Sequence, residues 1–157
     1  MTGIAEITIQ RERADQPDVA ALIEASNAFA NALYPAESNH FVDIATLCEP
    51  AVMFLVARAG DRAIGCGAIL RDPRGWGEIK RMFVAAEARG QKIGARILTE
   101  LERIAAAEGL RLLRLETGIH SMGALATYRR AGYRDCPPFG DYRPDPLSVF
   151  MEKMLPS

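Results

Sequence analysis

At 157 residues the chain has room for one domain with a substantial buried core, and too little for two of ordinary size. With 49% hydrophobic and 25% charged residues it reads as globular, and a formal net charge of -1 excludes a long-range pull toward nucleic acid or an anionic membrane. No apolar run approaches a membrane span, and residues 1–10 hold neither a basic region nor an apolar secretory core, so a cytoplasmic protein is expected.

Residues 4–11 alternate loosely, Ile7 and Ile9 against Thr8 and Gln10, as a half-buried first strand would. Asp15 is placed to cap a helix with Pro17 in its first turn and Val19, Leu22, Ile23, Ser26, Phe29, Ala30 and Leu33 on its inner face. That helix stops before Tyr34-Pro35, and residues 36–47 read as a loop leading into a short helix. Residues 53–57 and 63–70 form a hairpin through Ala59-Gly60-Asp61, and Gly65 and Gly67 in its second strand mark a bulge or a close approach.

The stretch 77–94 organises the rest. Glu78, Lys80, Met82 and Val84 alternate with Ile79, Arg81 and Phe83 as a strand. From Ile93 the period becomes helical, with Ile97, Leu101, Ile104 and Ala105 on one face and a stop at Gly109. Another strand follows at 112–117, broken by Gly118; Ser121 is placed to cap a helix that carries Leu125 and Tyr128 and ends at Gly132. A short strand begins at Tyr133, and residues 137–146, with four prolines, read as a long loop with an exposed Phe139-Gly140-Asp141-Tyr142 tip. Residues 148–154 close the sheet. This order predicts a single domain over 1–157 of α+β, or mixed α/β, class: a mixed sheet of six to seven strands with about four helices.

Three cysteines, Cys48, Cys66 and Cys136, are odd in number and far apart, which argues against a disulfide framework. Only His40 and His120 could join them as ligands, without local spacing, so no metal is expected.

Where the central strand feeds its helix, the turn Arg89-Gly90-Gln91-Lys92-Ile93-Gly94 leaves backbone N–H groups without helical partners, a place suited to an anion. Such turns also occur for packing reasons alone. Together with the acidic strand before it, the strand after it and the run Ala124-x-x-x-Tyr128-Arg129-Arg130-Ala131-Gly132-Tyr133, the pattern resembles the GNAT superfamily of N-acetyltransferases. In that family the turn reads Arg or Gln, two residues, Gly, one residue, then Gly or Ala, and it wraps the pyrophosphate of acetyl-CoA. Arg89, Lys92 and Gly94 occupy these places, and Lys92 departs from glycine.

The resemblance implies acetyl-CoA as co-substrate, held by Arg89, Gly90, Gln91, Lys92, Ile93, Gly94 and Ala95, by the backbone of Met82, Phe83 and Val84, and by Ser121 and Tyr128. Ser121 stands where many relatives have asparagine. The resemblance also implies that the two central parallel strands splay, with the pantetheine arm between them. Lys92 has two readings: at negative φ it adds an N–H donor and an ammonium, whereas at positive φ it is strained.

Acetyl transfer to an amine requires a base, donors for the thioester carbonyl and an acid for the leaving thiolate. The resemblance assigns the acid to Tyr128 and the base to Glu78, with Glu116 as competitor and an ordered water as a further route. Against these stand plainer readings: Glu78 paired with Lys80, Glu116 paired with Arg114 or Arg111, and Tyr128 packed in the core. Tyr34, Glu37, His40, Asp141 and Tyr142 would form the acceptor side, with Asp43, Asp145 and Phe139 nearby. The expected reaction moves acetyl to a primary amine, of a small molecule, by direct attack in a ternary complex. The alternative is a CoA-binding regulatory module that has lost transfer. Association into a homodimer is left open.

Overall fold

The computed structural model describes residues 6–156, so Ile4 and Ala5 of the expected first strand lie outside the described residues. Among the described residues seven strands make one sheet: β1 (Ile7–Arg11), β2 (Met53–Ala59), β3 (Arg62–Arg71), β4 (Gly77–Val84), β5 (Leu112–Gly118), β6 (Arg134–Asp135) and β7 (Ser148–Met154), in the order β1-β2-β3-β4-β5-β7-β6. Four α-helices among the described residues cover it: α1 (Pro17–Leu33), α2 (Ile44–Leu47), α3 (Ile93–Ala107) and α4 (Met122–Arg130). The α+β fold with a mixed sheet is as the sequence implied.

Each face of the sheet has its own core. Val19, Leu22 and Ile23 of α1 and Leu47 of α2 pack on Phe54, Val56, Cys66 and Ala68. On the other face Ile93, Ile97, Leu98, Leu101 and Ala105 of α3 and Leu125 of α4 cover Leu55, Ile69, Ile79, Leu113 and Leu115. Full burial of each such aliphatic side chain contributes about 1.5–3 kcal/mol, so α3 is held chiefly by this stripe. Gly109, at φ 88, ends it as expected.

Three local expectations change. Gln16, not Asp15, occupies the cap position of α1, because Asp15 turns back to Arg13 at 2.8 Å. Only Val19, Leu22 and Ile23 of α1 are buried; Phe29 lies beside Phe83 with ring centroids 6.1 Å apart, but it and Leu33 are exposed rather than inward. The 137–146 loop is exposed at Gly140 and Asp141 as expected, but Phe139 is buried, edge-on to Trp76 and Phe150 at 5.2 and 5.7 Å, because the loop folds back over the end of the sheet.

The alternation along β4 also breaks. Arg81 takes φ 59, and the register with β3 shifts between Cys66 and Ala68, the mark of a bulge. Past it, Met82 and Val84 join Ile79 on the α3 side and Phe83 turns to the α1 side. Gly67 leaves the room this needs: a Cβ there would stand 2.5 Å from Met82 Sδ.

The bulge positions the site. Strands β4 and β5 are parallel and paired only at Gly77–Leu113, Glu78–Arg114 and Ile79–Leu115. Beyond that point β4 runs on to Val84 and β5 to Gly118 without pairing to each other. A wedge opens between them, lined on one side by unpaired strand edge.

Candidate active site

At the wide end of the wedge, the turn into α3 leaves the helix start without a side-chain cap. Lys92 is the N-cap, at φ 60 and ψ 26, and no side chain caps the helix. The first helical hydrogen bond from this end is Arg96 N–H to the Lys92 carbonyl at 3.1 Å, which leaves the amides of Ile93, Gly94 and Ala95 facing the turn. No acidic residue occupies the first turn. Of the neighbouring cations, Arg89 donates to the Val84 carbonyl at 3.1 Å and lies over Phe29 and Phe83, and Arg96 donates to the Ile7 carbonyl at 3.3 Å. The open donors at this end are therefore those of the backbone, and Lys92 takes the left-handed conformation in which a side chain is strained.

Deeper in the wedge, Glu116 of β5 is half-buried, and its carboxylate accepts a hydrogen bond from Ser148 Oγ at 2.7 Å. Burial pushes its pKa up, against the Ser148 bond and the positive field of His40 and Lys80, and nearby Glu78 pushes it further. The expected alternative of an ion pair with Arg114 or Arg111 is not formed: Arg114 pairs with Glu152 at 3.1 Å, and Arg111 donates to the Leu110 carbonyl. Ser148 reaches Glu116 because β7 runs antiparallel to β5, with Glu116 opposite Phe150 and Gly118 opposite Ser148.

Tyr128, on α4, is 6% exposed, its ring edge-on to Tyr133 at 5.9 Å. Burial, with Glu116 adding to it, drives its hydroxyl pKa well above the ordinary phenol range, so the proton stays on oxygen. The plainer reading, a tyrosine packed in the core, describes this placement, and its hydroxyl keeps its proton.

Glu78 has partners at once. The Tyr142 hydroxyl donates to its carboxylate, Lys80 Nζ stands 3.4 Å from it, and Lys80 also meets the Tyr142 oxygen at 2.6 Å and the His40 carbonyl at 3.0 Å. Burial and the adjoining Glu78 raise the Tyr142 pKa. This knot floors a cavity of about 590 Å³ lined by Glu37, His40, Trp76, Asp141 and Tyr142 among others. Arg74 also lines it but is paired with Asp72 at 2.8 Å. Glu37, His40, Asp141 and Tyr142 are thus gathered in one place with Glu78.

Tyr34 lies elsewhere. Its ring stacks on His120 at 5.7 Å, its hydroxyl meets Ser121 Oγ at 2.9 Å, and it accepts the His120 N–H at 3.0 Å. Ser121 sits at the cap position of α4 but spends its hydroxyl on Tyr34 instead of capping. Lys80, Ser148 and Arg81 were missed as site residues. Only Lys80 had a sequence signal, its place two residues from Glu78; Ser148 depends on strand register and Arg81 on the bulge.

Residues 19–133 match the model of the acetyltransferase (GNAT) family. The IAA acetyltransferase of Azospirillum brasilense is 51% identical over 150 residues, covering 95% of this chain and 98% of the relative. A solved structure from Klebsiella pneumoniae, named as an acyl-CoA N-acyltransferase, superposes with a TM-score of 0.80 at 38% identity over 95% of this chain and 97% of its own. A GNAT-family acetyltransferase from Elizabethkingia anophelis with acetyl-CoA bound shares the fold at a TM-score of 0.68 and 21% identity, over 95% of this chain and 98% of its own. A strand wedge with an uncapped helix at its mouth, and a family match across most of the same elements, have one meaning: the chain belongs to the GNAT family of acetyltransferases.

Proposed function

We propose that this enzyme moves an acetyl group from acetyl-CoA to the primary amine of a small molecule, by direct attack within a ternary complex. The observation that carries the reading is the wedge: beyond Ile79 and Leu115 the facing edges of β4 and β5 stay unpaired, with Glu116 and Tyr128 beside the opening and free helix amides at its mouth. Unpaired strand amides and carbonyls suit the amides of a pantetheine arm, and the uncapped α3 terminus suits its pyrophosphate. Arg89, Gly90, Gln91, Lys92, Ile93, Gly94, Ala95, Met82, Phe83, Val84 and Ser121 are the proposed contacts.

The burial of Glu116 favours it as base over Glu78, whose charge is already answered by Tyr142 and Lys80. A carboxyl with a raised pKa is a stronger base once ionised, and it takes the amine proton as nitrogen attacks the thioester carbonyl carbon. The C–N bond forms, the C–S bond breaks, and Tyr128 gives its proton to the departing sulfur. Glu37 and Asp141 supply the negative field that draws the cationic amine in, and it gives up one proton to water before its nitrogen attacks.

The test pairs calorimetry with thiol release over an amine panel. Acetyl-CoA should bind with an affinity that falls with salt, and Tyr128→Phe should keep that affinity while losing roughly 100-fold in turnover, the reach of one positioned acid. Unchanged turnover in Tyr128→Phe would remove its role. Tight CoA binding with no thiol released from any amine would instead favour a regulatory module.

A further inference from the structure

Lys80 is the cation that the chemistry above leaves without a task. Its side chain is only 14% exposed, beside a Glu78 side chain at 18%, so an ammonium is held largely out of water at the floor of the cavity. It is not spent on Glu78 alone. Nζ stands 3.4 Å from that carboxylate, close enough for an ion pair but long for a hydrogen bond, and donates instead to the Tyr142 oxygen at 2.6 Å and to the His40 carbonyl at 3.0 Å. Two neutral oxygens thus fix the position of the charge, while Glu78 takes its hydrogen bond from the Tyr142 hydroxyl.

Strand register decides what that charge faces. β4 and β5 run parallel with Glu78 opposite Arg114 and Ile79 opposite Leu115, so the next residues along, where the strands part, are Lys80 and Glu116. Lys80 precedes the bulge at Arg81 and points to the same face as Glu78. Glu116 points to that face as well, since Phe150, opposite it on β7, packs on Tyr142 at 5.4 Å.

The groups around Glu116 are Glu78 and Lys80 from β4, His40 from the segment before α2, Tyr142 from the 137–146 loop, Tyr128 from α4 and the neutral Ser148 from β7. Burial raises the Glu116 pKa most; among the charges, Glu78 raises it further while His40 and Lys80 hold it down. Burial, then Glu78 and Glu116, raise the Tyr142 pKa, so it stays a neutral hydroxyl. Two carboxylates therefore share one fixed ammonium. Without it their repulsion leaves a proton on one of them, and Glu116, already raised by burial, keeps it. A protonated Glu116 has no place for the amine proton.

We infer that Lys80 is a positioning residue for acetyl transfer: its ammonium, held opposite Glu116 by Tyr142 and the His40 carbonyl, keeps that carboxylate ionised and open to the amine proton. The role of Glu116 as base rests on the acetyl-transfer reading; the hold of Lys80 on its charge rests on the strand register and the hydrogen bonds.

Carbon-13 spectra of the glutamate carboxyls, titrated with pH and without ligand, test that hold; the resonance absent in Glu116→Gln reports Glu116. Its midpoint should rise by about one pH unit or more in Lys80→Met, stay near wild type in Lys80→Arg, and fall back in Lys80→Met/Glu78→Gln, where one charge of each sign is gone. A midpoint unmoved in Lys80→Met overturns the inference. So does a rise that persists in the double variant, because lost packing is not restored by deleting a carboxylate. Thiol release from acetyl-CoA with ethanolamine, putrescine and tyramine ties the charge to turnover: the low-pH limb should move upward with the midpoint, so that Lys80→Met is slowed most at low pH and recovers as pH rises. A limb that stays in place while the midpoint moves overturns the positioning role. A midpoint that moves as stated, with no thiol released by the wild type from any amine, supports the hold of Lys80 on Glu116 and removes the acetyl-transfer reading instead.

Discussion

The ring of Tyr34 fills the space that Gly118 leaves by having no side chain. A Cβ built on Gly118 would fall inside that ring, which closes α1 over the end of β5 and is pinned there by Ser121 and His120. Glycine is required here for close approach, whereas the expected reason was only that it ended the strand.

Gly118→Ala should therefore evict Tyr34 and cost about 1–3 kcal/mol, the usual scale of overpacking. Urea titration of Gly118→Ala, Tyr34→Ala and the double variant checks it: the double variant should lose clearly less than the sum of the two, because the ring that clashes is already gone. Additive losses would mean that the added methyl meets something else.

Glu116 links chemistry to stability with a definite sign. Its pKa is raised on folding, so the folded chain holds that proton more tightly than the unfolded chain. Its contribution is complete below the ordinary carboxylate pKa and is lost as pH rises through the raised folded value. Glu116→Gln removes this loss. The variant should gain stability relative to wild type between acid and neutral pH while losing the low-pH limb of its pH-rate profile. Parallel stability curves for the two proteins would contradict the burial, and an unaltered limb would move the base to Glu78 or to water.

Lys92 at φ 60 makes an engineered glycine favourable for the fold. Lys92→Gly should raise stability by up to about 1 kcal/mol, since the relieved strain exceeds the added freedom of the unfolded chain. Acetyl-CoA affinity should fall by no more than about fivefold, the worth of an exposed charge contact. Denaturation and calorimetry on one preparation separate the two effects. Lower stability would show that the lysine side chain contributes more than its backbone costs, and tighter binding would show that it obstructs the turn into α3.

The sequence alone determined the elements and their order. The two-residue period of β4, the helical stripe of Ile93, Ile97 and Leu101, and the glycines at 60, 109 and 132 are local signals, each set by neighbours a few residues away. For the same reason the uncapped start of α3 was legible, since a helix terminus depends only on its own turn. Only the tertiary structure decided the rest. The bulge at Arg81 reverses the alternation of β4 because it answers a register shift in β3, which lies elsewhere in the chain. Burial of Phe139 depends on Trp76 and Phe150, and the raised pKa of Glu116 on burial by the packed strands, which outweighs the opposing hydrogen bond from a hydroxyl that β7 delivers from 32 residues away. Strand register, burial and the electric field at a carboxylate are sums over distant segments, and no local period encodes them.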